Sequence, residues 1–211
     1  DDIPVTSTIL GNPYSDCVFQ QLPDIARNRE LVYLGRLVSD KGVDLLIKSL
    51  VDLRESGLSP RLTIIGSGSE EAALRLLAKE LDVSGQIDFA GSRPPMEIAR
   101  LLNAHQILVV PSLWPEPFGI VALEGIGSGC VVVAAKAGGL PEVVGPCGIL
   151  FEMGSRQALT QALYTMLTEP ETREKLLRNA NDHLNQFKAA NVARRYLQVF
   201  ERAIQEARSR C

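Results

Sequence analysis

The chain has 211 residues, of which 45% are apolar and 22% charged, and its formal net charge is −3. That length and composition fit one substantial globular domain with a packed core, plus a short appendage at most, and exclude a disordered polymer. The weak negative charge, with no Lys/Arg cluster, excludes the classes that grip nucleic acid or an anionic membrane surface, and no apolar run reaches the ~18 residues of a membrane span.

Residues 1–29 read as an interdomain linker and lead-in with short extended pieces. The opening DDIPVTSTIL has neither a basic stretch nor an apolar core, so no signal peptide is expected. It also lacks an initiator Met, which predicts a processed chain or a fragment. GNPYSD (11–16) is turn chemistry, and Pro23 interrupts any helix. A rhythm then begins. LVYLGR (31–36) predicts a strand, and DKGVDLLIKSLVDLRESG (40–57) carries apolar residues at a helical period. RLTIIGSG (61–68) predicts a second strand, and SEEAALRLLAKELDV (69–83) an amphipathic helix capped by Ser69 with acids in its first turn. QIDFAG (86–91), QILVVPS (106–112), CVVVAAKAGG (130–139) and CGILFEMG (147–154) predict four more strands. Helices are expected at 94–104 and 118–129 between them, and at 155–168, 170–186 and 189–208 beyond them.

The strands are apolar throughout, not alternating. A parallel sheet covered on both faces by helices follows. The expected fold is α/β: a Rossmann-like, doubly wound parallel sheet of about six strands over residues 30–155, with a C-terminal helical tail at 156–211. Ligands in such folds bind at the carboxyl ends of the strands near the switch in strand order, so the loops at 35–42, 66–69, 91–95, 111–118 and 135–142 are where chemistry is expected. Four cysteines at 17, 130, 147 and 211 form no C-x-x-C pair and lie far in sequence from His105 and His183, which argues against zinc. Cys130 and Cys147 read as buried free thiols, and a reducing, cytoplasmic setting is expected. His105, just before a buried strand, reads as structural, and His183, in the tail, as solvated.

Each strand-end loop offers a ligand reading beside a plain one. In GRLVSDKG (35–42), Arg36 and Lys41 stand past a strand and at a helix start. Two cations beside a helix N-terminus suit a diphosphate, and Gly35 and Gly42 allow close backbone approach; the plain reading is surface charge. GSGSEE (66–71) invites a dinucleotide reading, but Glu71 stands where the third Gly of G-x-G-x-x-G belongs and the motif follows the second strand. Gly66 and Gly68 read instead as a strand-to-helix turn that can approach a ligand. Arg93 in GSRPP (91–95) can stack on a flat base or simply face solvent. Trp114 can wall a pocket or pack.

PEPFGIVALE (115–124) sets Glu116 and Glu124 around an apolar run. Pro117, Phe118 and Gly119 are expected to begin a helix whose first N–H groups, near Phe118, Gly119 and Ile120, are unpaired and point outward. Glu116 hangs at that mouth. Glu124 lies nearly two turns in, on a largely apolar helix where a buried carboxylate needs a partner. Outward N–H groups with two carboxylates suit the hydroxyls of a sugar and a ribose.

GRLVSDKG, then PEPFGIVALE about 75 residues later, then GGLPEVV (138–144), together resemble the C-terminal, donor-binding half of a retaining GT-B glycosyltransferase. The group includes bacterial sucrose and glycogen synthases and mannosyltransferases. The resemblance is close over residues 30–155 and loose over the tail. It implies transfer of a sugar from a nucleotide diphosphate, with UDP-glucose the expected donor, to an acceptor hydroxyl. It implies Glu116 beside the donor sugar, Glu124 at the ribose, Arg36 and Lys41 at the pyrophosphate, and backbone contacts from Phe118, Gly119 and Ile120. It also implies an N-terminal acceptor-binding domain, which this chain is expected to lack. No D-x-D is present, so no metal and no other cofactor is expected. A non-catalytic nucleotide-sugar binding module, a non-hydrolysing nucleotide-sugar epimerase and an NAD-type oxidoreductase are the alternatives.

Overall fold

A computed structural model describes residues 8–209. The expected linker therefore lies outside the described residues over 1–7, and so does Cys211. Six strands form one parallel sheet: β1 (Arg29–Leu34), β2 (Leu62–Ile65), β3 (Ile87–Gly91), β4 (His105–Val110), β5 (Val131–Ala135) and β6 (Gly148–Phe151). Their order is β3-β2-β1-β4-β5-β6, so the chain reverses direction across the sheet between β1 and β4. Register is set by pairs such as Leu31 with Ile107 and Leu31 with Leu62.

Both faces are dry, which is why the strands carry no polar stripe. Leu31, Tyr33, Leu62, Ile64, Ile107, Val109, Val131 and Val133 pack under α1 (Val43–Glu55), α2 (Glu71–Glu80) and α6 (Arg156–Thr168). Val32, Ile65, Leu108, Val110, Val132 and Ala134 pack under α3 (Pro95–Ala104), α4 (Ile120–Gly127), α5 (Leu140–Val144) and α8 (Ala180–Asn185). Alternate residues of each strand feed opposite cores, as the pleat requires. α7 (Pro170–Leu177) and α9 (Ala189–Ser209) complete the helices.

Several expected elements are corrected. Ser69 does not cap α2: the helix starts at Glu71 behind Glu70, whose N–H is spent on Leu37 O at 2.9 Å. The helix expected from residue 118 starts at Ile120, because Gly119 is left-handed at φ 91°. The strand expected over 130–139 stops at Ala135, and the LPEVV of GGLPEVV forms α5. The single helix expected over 170–186 is two, α7 and α8. His183 is buried rather than solvated. Its Nε2 lies 2.7 Å from Val143 O, and its ring meets Phe187 edge-on. Cys130 and Cys147 are buried free thiols as expected, and His105, expected to be structural, is buried. Among the described residues no helix is long and apolar enough to cross a membrane.

Candidate functional site

The loops that leave β1, β4 and β5 are stitched together by their main chains. Leu113 N–H donates to Asp40 O at 2.8 Å, and Gly139 N–H donates to Glu116 O at 2.8 Å. Two glycines permit this. A Cβ on Gly42 would stand 2.1 Å from Pro111 O, and one on Gly138 2.1 Å from Glu116 O. Gly138 is also left-handed at φ 54°, a conformation that costs an L side chain roughly 1–2 kcal/mol. The GG of GGLPEVV therefore holds the backbone of Glu116, and the sequence alone did not reveal this.

The stitching leaves a cavity of about 260 Å³ at the carboxyl ends of β1 and β4, where the strand order switches. Its lining includes Lys41, Ser112, Glu116, Phe118, Gly119 and Ile120. Lys41 ends a short 3-10 turn (Ser39–Lys41) just ahead of α1. Its Nζ donates to Glu116 Oε1 at 2.5 Å, and Ser112 Oγ donates to the same oxygen at 2.6 Å. Sequence reasoning assigned Lys41 and Glu116 separate partners; the structure pairs them. Ser112 was missed, since nothing marks a lone serine after a buried strand.

α4 begins at the cavity wall, and its first backbone bond runs from Ala122 N–H to Gly119 O. The N–H groups of Ile120 and Val121 precede it and have no partner within the helix. They carry the positive end of the helix dipole. The ring of Phe118 packs edge-on against Phe187, with centroids 5.9 Å apart. Tyr33, also in the lining, donates its hydroxyl to Arg36 O at 2.8 Å and pins the Arg36 loop. Burial, then the charges of Glu116 and Asp40, push the Tyr33 hydroxyl well above its usual range, so it stays protonated and can donate. Asn12 of the lead-in segment joins the lining as well, another residue with no sequence signal.

The other expected site residues do not line this cavity. Arg36 is exposed on the neighbouring loop. Glu124 is half-buried on α4, no other side chain among the described residues pairs with its carboxylate, and burial pushes that group up to about 7. Gly66 is accounted for by packing: a Cβ there would stand 1.9 Å from Gly35 O. Arg93 lines a different cavity beside β3 and α3, with Asp88 and Phe89, and stands 3.7 Å from Glu97. Among the described residues no three His, Cys, Asp or Glu side chains gather as a metal ion would require.

The family profile described as glycosyl transferases group 1 matches residues 18–183. A D-inositol 3-phosphate glycosyltransferase of Corynebacterium aurimucosum is 33% identical over 213 residues, covering 95% of this chain and 50% of that protein. The D-inositol 3-phosphate glycosyltransferase of Corynebacterium glutamicum is 36% identical over 182 residues, covering 82% and 43%. The chain thus spans about half the length of the curated relatives it matches. Among solved structures, Anabaena Alr3699/HepE in complex with UDP and glucose superposes with a TM-score of 0.82 at 24% identity, over 92% of this chain and 56% of that one. The sucrose-phosphate synthase of Thermosynechococcus elongatus superposes with a TM-score of 0.80, also at 24% identity, over 92% and 52%. With the profile matched from the lead-in segment through α8, over the loops that build this cavity, the chain belongs to the glycosyl transferases group 1 family.

Proposed function

We propose that this chain is the donor-binding half of a retaining glycosyltransferase and that its donor is a uridine diphosphate sugar, UDP-glucose in the first instance. The observation that carries the reading is the cavity at the β1/β4 switch. There a cation, a carboxylate and the N-terminus of α4 converge. The HepE complex with UDP and glucose, which shares this fold, supports the choice of base and sugar.

In this reading the diphosphate lies between Lys41, Arg36 and the N–H groups of Ile120 and Val121. When the bond from the anomeric carbon breaks, its electron pair goes to the diphosphate oxygen, and those groups offset the developing charge. Glu116 faces the sugar, whose anomeric centre becomes positive in the transition state and gains from a nearby carboxylate. Glu124 accepts from the ribose hydroxyls. Arg93 has its own cavity beside β3, on the flank we assign to the base. Gly66 shapes the strand-to-helix turn between the β1 and β3 loops. Two cations and a helix terminus supply positive charge from the protein itself, so we assign no metal to donor binding. The acceptor belongs to a second half of the full-length protein, since the relatives are about twice as long. The isolated chain therefore binds donor without transferring it. Its buried free thiols support a reducing, cytoplasmic setting.

Titration calorimetry in EDTA tests the assignment, with UDP-glucose, GDP-mannose and NADH offered separately. UDP-glucose should bind and NADH should not. Binding of NADH alone would favour an oxidoreductase, and loss of UDP-glucose binding in EDTA would sink the metal-free reading.

A further inference from the structure

Lys41 and Glu116 each have a ligand group assigned to them, yet in the free chain they hold each other. Nζ sits 2.5 Å from Oε1, with the two side chains 18% and 15% exposed. The ammonium's charge is compensated before any diphosphate arrives. The main chains of the three loops are held to one another by the bonds from Leu113 to Asp40 and from Gly139 to Glu116. Rotation of the lysine side chain is enough to release it, with no movement of those main chains.

We propose that Glu116 is an internal counter-ion that occupies Lys41 until a diphosphate displaces it, and that Ser112 is the positioning residue that keeps the freed carboxylate in place. The inference rests on the donor reading above. Ser112 is suited to the task. It is 1% exposed, it follows β4 directly after Pro111, and its hydroxyl is aimed at the oxygen that the lysine vacates. Being neutral, it does not compete for the diphosphate. Once Lys41 turns to phosphate, Glu116 keeps one donor on Oε1 and presents its remaining acceptor sites to the sugar hydroxyls. Without that donor a half-buried carboxylate would pull the lysine back.

The test is UDP binding, measured by calorimetry on the wild-type chain and on Glu116→Gln, Ser112→Ala, Ser112→Thr, Lys41→Ala and the Ser112→Ala/Glu116→Gln double variant. Glu116→Gln removes the competitor, so UDP should bind about fivefold more tightly, within the range of couplings between touching residues. Ser112→Ala leaves Oε1 with one donor, which then holds Lys41 harder, so UDP should bind about threefold more weakly. Ser112→Thr should restore it. In the Glu116→Gln background Ser112→Ala should be silent, which a merely structural serine would not be. If Glu116→Gln binds UDP no more tightly while Lys41→Ala still loses it, the donor reading stands and the exchange is overturned. If Ser112→Ala acts equally in both backgrounds, the role of Ser112 is overturned. If the wild-type chain does not bind UDP, the donor reading falls and the exchange with it. Should Ser112→Ala fail to fold, the Glu116→Gln comparison decides alone.

Discussion

The two ends of the sheet are both rich in buried polar groups, but they spend them differently. At the amino end the groups close mostly onto the main chain. Arg27 donates to Leu102 O, His105 O and Ser128 O. Asn103 donates to Gln20 O and Ala99 O and accepts from Leu22 N–H. His105 spans Leu101 O and Thr63 Oγ1, and burial lowers its pKa to about 4, so it is neutral at pH 7. At the carboxyl end the central contact is between side chains, Lys41 with Glu116, and it opens onto a cavity. Polar groups bound to fixed carbonyls cannot exchange partners without unfolding something. A side-chain pair on a cavity wall can. The first arrangement builds the fold, and the second leaves a site.

If that division holds, the largest loss of stability should come from the amino end. Arg27→Ala leaves several carbonyls without their donor and should cost about 3–4 kcal/mol in urea denaturation. A cost under ~1 kcal/mol would show that solvent replaces the guanidinium and that the two ends do not differ in kind.

Glu124 sharpens the contrast, because it lies partway along α4 with no side-chain partner among the described residues. Burial moves its carboxyl from 4.5 to about 7. The folded chain keeps that proton over a range where the unfolded chain releases it. Stability from this group is therefore full below about pH 4.5 and declines as pH rises to 7, by up to about 3 kcal/mol. Denaturation of the wild type and of Glu124→Gln at pH 5 and pH 8 should show the variant gaining at the higher pH. Parallel pH profiles for the two would remove Glu124 as the source.

Gly138→Ala attacks the stitching of the loops. Its Cβ would collide with Glu116 O in a left-handed conformation, so a loss of about 2 kcal/mol is expected. Affinity for UDP-glucose should fall more than affinity for UDP, since we assign Glu116 to the sugar. Equal losses would mean that Gly138 supports the whole site and not Glu116 in particular.

The smallest effect is expected at Trp114, which is 60% exposed and does not line the cavity. Trp114→Ala should change stability by less than about 0.5 kcal/mol and leave UDP affinity unchanged. A clear loss of affinity would extend the donor site onto that loop.

The fold was largely legible because buried parallel strands write themselves as apolar runs: β2, β3, β5 and β6 lie within the stretches expected of them, while β1 begins two residues early and β4 one residue early. What could not be read was anything set by adjacency. Lys41 and Glu116 are 75 residues apart and meet because β1 lies beside β4, an order that no local pattern encodes. Ser112 is invisible for the same reason, as is the packing of Gly138 on Glu116. Helix ends were missed where a glycine turns left-handed, at Gly119, or where α7 gives way to α8 without Pro or Gly to mark it. His183 was misjudged because its neighbours in sequence are polar, while its neighbours in space are Val143 and Phe187.

The central assignment is Lys41 to a diphosphate. The direct measurement is the affinity of the chain for uridine and for UDP, before and after Lys41→Ala. A charge-assisted hydrogen bond is worth roughly 1.5–3 kcal/mol, so UDP should lose about tenfold to hundredfold while uridine is unaffected. If uridine and UDP lose equally, or neither loses, Lys41 does not touch phosphate and the donor site lies elsewhere.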